Sequence, residues 1–269
     1  MYNLVRWYMK KFLAGLLLFF IGIVNWNAIS RHAYFSEAPG LFTPKDTTPV
    51  FTLYMTIDDG PLEGVPYIDS VFREEKVPAD LFLVGAHVYQ DSLFMDYLNE
   101  LKKNKWFEFN NHSFTHANED YDSYYAHPKT VLYDMRRNND SLHFSNTICR
   151  MPARNMWRIG GKMSNDGYSG NRAANLLKRK GYHVIGWDLQ WETDSLDLPI
   201  QSPDSLFQQL KQAFAIPASF VPGHVVLLCH DGMFINLDAK NKLQAFIRLV
   251  KAAGNIRFSW LKYYPLYRK

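Results

Sequence analysis

From Phe51 onward the chain alternates between short apolar runs and longer stretches whose apolar residues recur every three or four positions. Phe51 to Ile57 (FTLYMTI) is apolar at most positions and ends in Asp58-Asp59-Gly60-Pro61, which predicts a buried strand running into a turn. Val65 to Glu75 carries helical spacing, and Ala79 to Val84 (ADLFLV) reads as a second strand ending at Gly85. Ser92 to Lys103 predicts an amphipathic helix with Leu93, Phe94, Tyr97, Leu98 and Leu101 on one face. Trp106 to Phe109 predicts a short strand, and Pro128 to Asn139 a helix with proline in its first turn. Thr147 to Met151, His183 to Trp187, Val225 to Cys229 and Ile256 to Trp260 complete the predicted strands. Between them lie helices over Asn171 to Lys180, Ser205 to Phe214 and Leu237 to Ala253. Gly181 and Gly254 stand where glycine commonly closes a helix.

Strand and helix thus alternate about seven times without an internal repeat, the pattern of a parallel α/β architecture, either an open sheet or a barrel. Six polar groups fall at or just past the C-terminal ends of predicted strands: Asp58, Asp59, His112, Arg150, Asp188 and His230. In both architectures that rim gathers ligands and catalytic groups, because the loops leaving it are free to converge.

The chain before Phe51 is different. Arg6, Lys10 and Lys11 precede an apolar stretch from Phe12 to Val24, shorter than the roughly 20 residues a spanning helix prefers. Ala28-Ile29-Ser30 offers the small residues a signal peptidase reads. Residues 1–30 therefore fit a cleaved signal peptide and an uncleaved anchor equally, and both readings export the rest of the chain to the periplasm or cell envelope. Residues 31–49 read as a linker broken by Pro39, Gly40, Pro44 and Pro49, leaving 50–269 as the main folded domain.

Composition adds limits. The chain of 269 residues is 47% hydrophobic and 21% charged, ordinary for a globular protein. A net charge of +4, without a dense Lys/Arg stripe or a reader motif, argues against a nucleic-acid partner. Cys149 and Cys229 are too few for a disulfide scaffold or a structural zinc site, and as members of apolar runs they read as buried thiols, with a single disulfide as the alternative. Aromatic residues make up 16%, several of them (Trp157, Trp187, Trp191) near polar motifs, which gives weak support for a carbohydrate ligand.

Adjacent carboxylates at a strand end repel one another and need backbone donors, a cation, or both. An Asx-type turn would satisfy Asp58 and Asp59 by itself. His112-Ser113-Phe114-Thr115-His116 supplies two imidazoles four residues apart, which on a helical turn would share one face and ligate one metal. Capping or surface histidines are the plain alternative. Asp59 with these two rings would complete a two-His, one-carboxylate site suited to Zn²⁺ or another divalent first-row ion. The neighbouring carboxylate would stay free to take a proton.

Ile57-Asp58-Asp59-Gly60-Pro61, His112-Ser-Phe-Thr-His116 and Leu228-Cys229-His230, in that order, resemble the polysaccharide deacetylase family (NodB homology domain, carbohydrate esterase family 4), with Ala79 to Gly85 similar to its second strand. The resemblance runs from about Phe51 to the C-terminus. It implies a distorted (β/α) barrel of about seven parallel strands, consistent with the alternation above. It also implies hydrolysis of acetyl groups from N-acetylated sugars of an envelope or extracellular polysaccharide. By resemblance Asp59, His112 and His116 hold a divalent metal, most simply Zn, with Co, Ni or Mn as alternatives. Asp58 is the general base, His230 the general acid, and Arg150 steadies the base. A backbone N–H in the turn after Arg150-Met151-Pro152 is the expected oxyanion donor. O-acetyl ester or other amide hydrolysis by the same site, and non-catalytic glycan binding, are the alternatives.

Two departures stand out. The family's Arg-x-Pro motif is extended here by Arg154, Trp157 and Arg158, with the two arginines read as pairing with Asp58, gripping an acidic substrate, or remaining solvated. Its Asp-x-x-Asp-Trp motif becomes Asp188-Leu189-Gln190-Trp191, so either Asp188 or Asp231 orients His230 in place of the missing acid, or His230 is less strongly activated. Pro152, Arg154, Trp157, Trp191 and Leu228 are the candidate substrate contacts, Trp191 as a wall of the acetyl pocket or else ordinary core.

Overall fold

The computed structural model describes residues 50–215 and 219–267. The expected leader or anchor and the whole of the linker lie outside the described residues. β1 (Phe51–Asp58) is the strand around which the others assemble. Along one edge it pairs in parallel with β9 (His224–His230), from Thr52↔His224 to Asp58↔His230. Along the other edge its first residues pair with β10 (Ile256–Phe258), and Met55 to Ile57 pair with β2 (Ala79–Leu83). From β2 the sheet continues through β3 (Phe107–Asn111), β4 (Ile148–Cys149) and β7 (His183–Val184), while β8 (Leu189–Gln190) extends it beyond β9. All these pairings are parallel, and the ends do not meet, so the sheet curls into a distorted (β/α) barrel.

Side-chain alternation along β1 creates two environments. Leu53, Met55 and Ile57 face outward into the main core. That core is built with α1 (Val65–Glu75), α3 (Ser92–Leu101), α7 (Pro203–Ala215) and α8 (Leu237–Ala252). Tyr54 faces inward, where it joins Phe82, Ile148, Val226 and Tyr264 in a second cluster. Thr56 and Asp58 share that inward parity, so the polar top of the barrel sits directly above an apolar floor. Phe72 of α1 meets Phe107 of β3 edge-on at 5.4 Å, one of many fully buried side chains, each contributing about 1.5–3 kcal/mol.

The predicted strands and long helices are all present, with ends within a few residues of expectation. Beyond the unpredicted strand β8, three features differ. The stretch after Arg158 contains a hairpin of β5 (Trp157–Ile159) and β6 (Lys162–Ser164), antiparallel to each other, with β5 also antiparallel to β7. Its turn is Gly160-Gly161 at φ 53° and 83°, the doubly left-handed geometry a two-residue hairpin requires. Two short helices, α2 (Gly85–Gln90) and α4 (Tyr121–Ala126), precede α3 and α5 (Pro128–Leu142), and both were too short to show periodicity. α6 (Asn171–Arg179) packs on α5 over a small third cluster around Met135 and Leu177. Cys149 and Cys229 are buried free thiols, whose ionisation burial makes harder.

Candidate active site

β1 delivers Asp58 to the rim and the turn then redirects Asp59. Asp59 adopts φ 73°, a left-handed backbone that aspartate tolerates better than most residues. Its carbonyl accepts a hydrogen bond from the ring of His87 at 2.7 Å, and Val84 N–H reaches Gly60 O at 2.9 Å. Asp231, next to His230, accepts the N–H groups of Leu62 at 3.1 Å and Gly64 at 2.8 Å. The contact is close: a Cβ on Gly64 would lie 2.0 Å from Asp231 O. The loop that aims the two acids is thereby fastened to the loop that carries His230.

His112 follows β3 directly, and His116 comes after a turn with Ser113 at φ 69°. The two rings were expected to share one face of a helical turn; the structure corrects this. The backbone from His112 to His116 is irregular, held by Asn111 Oδ1 on Ser113 N–H, Asp134 Oδ2 on Thr115 and Ser113 Oγ on His116 N–H. These side-chain acceptors fold the segment back so that both Nε2 atoms face the same point. Nε2 of His112 lies 3.3 Å and Nε2 of His116 3.2 Å from Asp59 Oδ1.

The donor set fits a divalent metal. One ligand atom from each of Asp59, His112 and His116 lies within 4.8 Å of the others. Among the described residues Asp59 Oδ1 is buried without a hydrogen-bond partner, an orphan that a cation would satisfy. Each ring also presents its far nitrogen to an oxygen, His112 Nδ1 to Arg150 O at 3.0 Å and His116 Nδ1 to Glu119 Oε1 at 2.7 Å. Such partners fix the tautomer that leaves Nε2 as the ligand atom. The site's electrostatics agree. Burial opposes the charge on Asp59, but the two imidazoles outweigh it and hold its carboxyl well below the ordinary range. Burial likewise opposes protonation of His116, yet Asp59 and Glu119 push its pKa up to about 9.

Behind this triad Arg150, fully buried, donates to Asp58 Oδ1 at 2.7 Å and Thr56 Oγ1 at 2.9 Å. It also reaches the carbonyls of Ile185 at 3.2 Å and Gly186 at 2.9 Å, and lies 4.3 Å above the ring of Phe82. Oδ1 of Asp58 is occupied by Arg150, whereas Oδ2 faces His112 Nε2 at 3.5 Å. In front lies an open cleft of about 530 Å³, reached by Asp58, Asp59, His112, His116 and His230. Leu228 and Trp187 supply apolar wall, and Glu119 and Tyr121 also border the cleft.

Several predicted contacts lie elsewhere. Trp191 is not a pocket wall: it is fully buried between Phe234 and Phe246, with its indole N–H on Gln201 O. Trp157 stacks on Phe220 at 4.4 Å in the barrel interior. Pro152 is buried with its carbonyl accepting from Tyr125, and it is the following Ala153 that borders the cleft. Arg154 and Arg158 are neither paired with Asp58 nor solvated. Arg154 holds the backbone and hydroxyl of Ser169 and sits over the Tyr125 ring, and Arg158 binds Asn175 and Asn165 beneath the hairpin.

Of the alternatives for the missing acid, neither Asp188 nor Asp231 takes its place, which leaves the less strongly activated His230. Asp188 is occupied by the N–H groups of Phe220 and Val226, and Asp231 by those of Leu62 and Gly64. Among the described residues, no carboxylate accepts a hydrogen bond from the His230 ring. Burial raises the pKa of Asp188 to about 6 and that of Asp231 to about 7, each partly offset by those backbone donors. Glu119 and Tyr121 carry no role assigned from the sequence, and Trp187 is marked there only as one of the aromatic residues near polar motifs. Trp187 had a signal, its place at a strand's C-terminal end, but Glu119 had none.

Residues 45–158 match the family described as Polysaccharide deacetylase, a stretch that takes in Asp58, Asp59, His112, His116 and Arg150 and stops short of His230. No curated protein matches the sequence. Among solved structures, a CE4 esterase of Streptococcus mutans is 20% identical with a TM-score of 0.59, over 78% of this chain and 87% of that one. The catalytic domain of a peptidoglycan N-acetylglucosamine deacetylase from Eubacterium rectale is 19% identical at 0.57, over 84% and 98%. A CE4 family pseudoenzyme from Bacillus anthracis is 15% identical at 0.54, over 80% and 65%. At these identities the three share a fold with this chain. Residues 45–158, with both the acidic and the histidine motifs, are thus similar in sequence to the polysaccharide deacetylase family, and the described chain shares the fold of the CE4 structures.

Proposed function

We propose that the chain is a metal-dependent hydrolase that removes acetyl groups from N-acetylated sugars of an envelope or extracellular polysaccharide. The observation that carries this reading is the convergence of Asp59, His112 and His116 on one point, beside an Asp58 held by Arg150. A divalent ion held by that triad, zinc or another first-row metal, would supply Lewis acidity toward the acetyl carbonyl and lower the pKa of water. Asp58 is fixed through Oδ1, so Oδ2 is the atom that takes the proton of the attacking water. His230 stands opposite Asp58 in the β1–β9 register and returns a proton to the departing amine. Leu228 and Trp187 give the acetyl methyl an apolar wall, and the turn at Ala153 offers the backbone donor for the oxyanion. The basic flank and apolar stretch before Val24 support export to where such glycans lie.

A second reading, O-acetyl ester hydrolysis, draws on the His230 ring having no carboxylate partner among the described residues. An alkoxide leaves with less help from an acid than an amine does. One experiment separates the readings. The full chain is offered N-acetylated and O-acetylated oligosaccharides with zinc or with chelator, and acetyl loss is followed by mass spectrometry. Zinc-dependent loss from the N-acetylated set, abolished by Asp58→Asn, is the expected result. Loss from esters alone favours the second reading, release that survives chelation sinks the metal mechanism, and glycan binding without release points to a non-catalytic relative.

A further inference from the structure

The two histidines of the triad are supported differently. His112 is buried and leans on a backbone carbonyl, an arrangement the strand provides at no extra cost. His116 lies at the edge of the cleft and leans on the carboxylate of Glu119, whose own side chain is 72% exposed. An exposed carboxylate is normally free to turn into water. This one is held from its other side: Tyr121 donates its hydroxyl to Glu119 Oε2 at 2.7 Å. The Tyr121 ring also stands edge-on to His116 at 5.9 Å.

The backbone that brings Glu119 there is unusual. His116, Ala117, Asn118 and Glu119 have φ of 50°, 60°, 47° and 61°, four consecutive non-glycine residues in the left-handed region. L-residues disfavour that region, and only asparagine among the four visits it with any ease. The turn is closed by Asn118 N–H on Thr115 O and Asp120 N–H on Ala117 O. Its effect is to carry the Glu119 side chain back over the ring of His116. Among the described residues Glu119 has no other ion-pair partner. Backbone strain of this kind persists where the surroundings require it, and it clusters at functional sites.

We infer that Glu119, held by Tyr121, is a positioning residue for His116: the strained turn exists to place a carboxylate on the outer nitrogen of the cleft-edge metal ligand. The inference rests on the metal reading above. A carboxylate accepting Nδ1–H fixes the tautomer that leaves Nε2 toward Asp59 Oδ1, and makes the ring a stronger donor than a carbonyl partner would. It also adds a second negative charge near the point where a dication would sit, alongside Asp59. Packing of the buried Ala117 is the competing reason for the turn.

The test is metal affinity rather than turnover. Zn²⁺ binding to the full chain is measured by competition with a chromophoric chelator, and the visible absorption of the Co²⁺-loaded protein is recorded beside it. Glu119→Ala is expected to weaken zinc binding about 10–100-fold and shift the cobalt bands. Glu119→Gln, which keeps an acceptor and loses the charge, falls between that and wild type, and Tyr121→Phe gives a smaller loss than Glu119→Ala. The melting temperature of the metal-free protein stays near wild type in all three. Wild-type zinc affinity and an unchanged cobalt spectrum in Glu119→Ala overturn the inference, as does a drop in metal-free stability with unchanged affinity, which would mark the turn as packing alone. A wild-type chain that binds no metal defeats the metal reading itself, a separate and distinguishable failure.

Discussion

Removing the guanidinium of Arg150 tests the centre of the site most directly. Arg150→Met keeps an unbranched stem over the Phe82 ring and deletes every polar contact of the head group. Asp58 loses its 2.7 Å partner in a fully enclosed setting, while the carbonyls of Ile185 and Gly186 lose a donor each. Breaking one side of a buried ion pair typically costs about 3–5 kcal/mol, because the remaining charge is left uncompensated. We therefore expect a loss of about 4 kcal/mol, a large share of the roughly 5–15 kcal/mol that holds a domain folded. With a urea m-value of about 2.5 kcal/mol/M the midpoint falls by about 1.5 M. A double-mutant cycle isolates the pair: Asp58→Asn combined with Arg150→Met removes the orphaned carboxylate, so the double variant should regain about 2 kcal/mol over Arg150→Met alone. Equilibrium urea unfolding of the four proteins, metal-free at one pH, supplies the numbers. An Arg150→Met cost below about 1 kcal/mol, or a double variant as unstable as the two single losses summed, refutes the reasoning.

Further expectations come from the same geometry. Zinc at 100 times its Kd should stabilise the chain by about 2.7 kcal/mol, read as a rise in Tm that chelator reverses and Asp59→Asn removes; no shift in wild type would contradict the triad. Asp231 is raised by burial from 3.8 to about 7, so its protonated form is the one the fold favours. Its contribution to stability is full below pH 4 and is lost as pH climbs to about 7, and Asp231→Asn should flatten that fall in urea midpoints; parallel profiles would be the contrary result. Trp191→Phe should cost about 1–3 kcal/mol in unfolding with little effect on KM, whereas Trp187→Ala should raise KM at smaller cost in stability. Reversed effects would restore Trp191 as the pocket wall. Gly64→Ala should destabilise by at least about 1–3 kcal/mol, because its Cβ meets the Asp231 backbone at 2.0 Å; near-neutral behaviour would mean the loop is not fastened as described.

Much of this was legible in the sequence because the signals are local. The run from Phe51 to Ile57 had to be a strand, and the Asp-Asp-Gly-Pro after it had to turn, whatever lay around them. The spacing of His112 and His116 pointed to a shared ligand, although a helical turn is not the device the chain uses. The left-handed backbone at Ser113 and His116 brings the rings together instead, and it depends on acceptors from Asn111 and Asp134. Local spacing is blind to such partners.

Aromatic and charged side chains around the site were harder to read. Trp191 and Trp157 lie close in sequence to polar motifs, and both belong to apolar clusters, because adjacent side chains on a strand exit to opposite faces. For Arg154 and Arg158 the sequence leaves open pairing with Asp58, gripping an acidic substrate and solvation, whereas the fold ties them to Ser169 and Asn175. What the sequence determined by itself was the alternating frame and which groups are candidates for the chemistry, both set by the periodicity and chemistry of short segments. Only the tertiary structure decided which groups meet: Asp58 stands level with His230 through the β1–β9 register, Arg150 reaches Asp58 across the barrel, and Glu119 is folded onto His116. Those distances arise from strand register and backbone strain distributed over distant segments, and no short window of sequence encodes either.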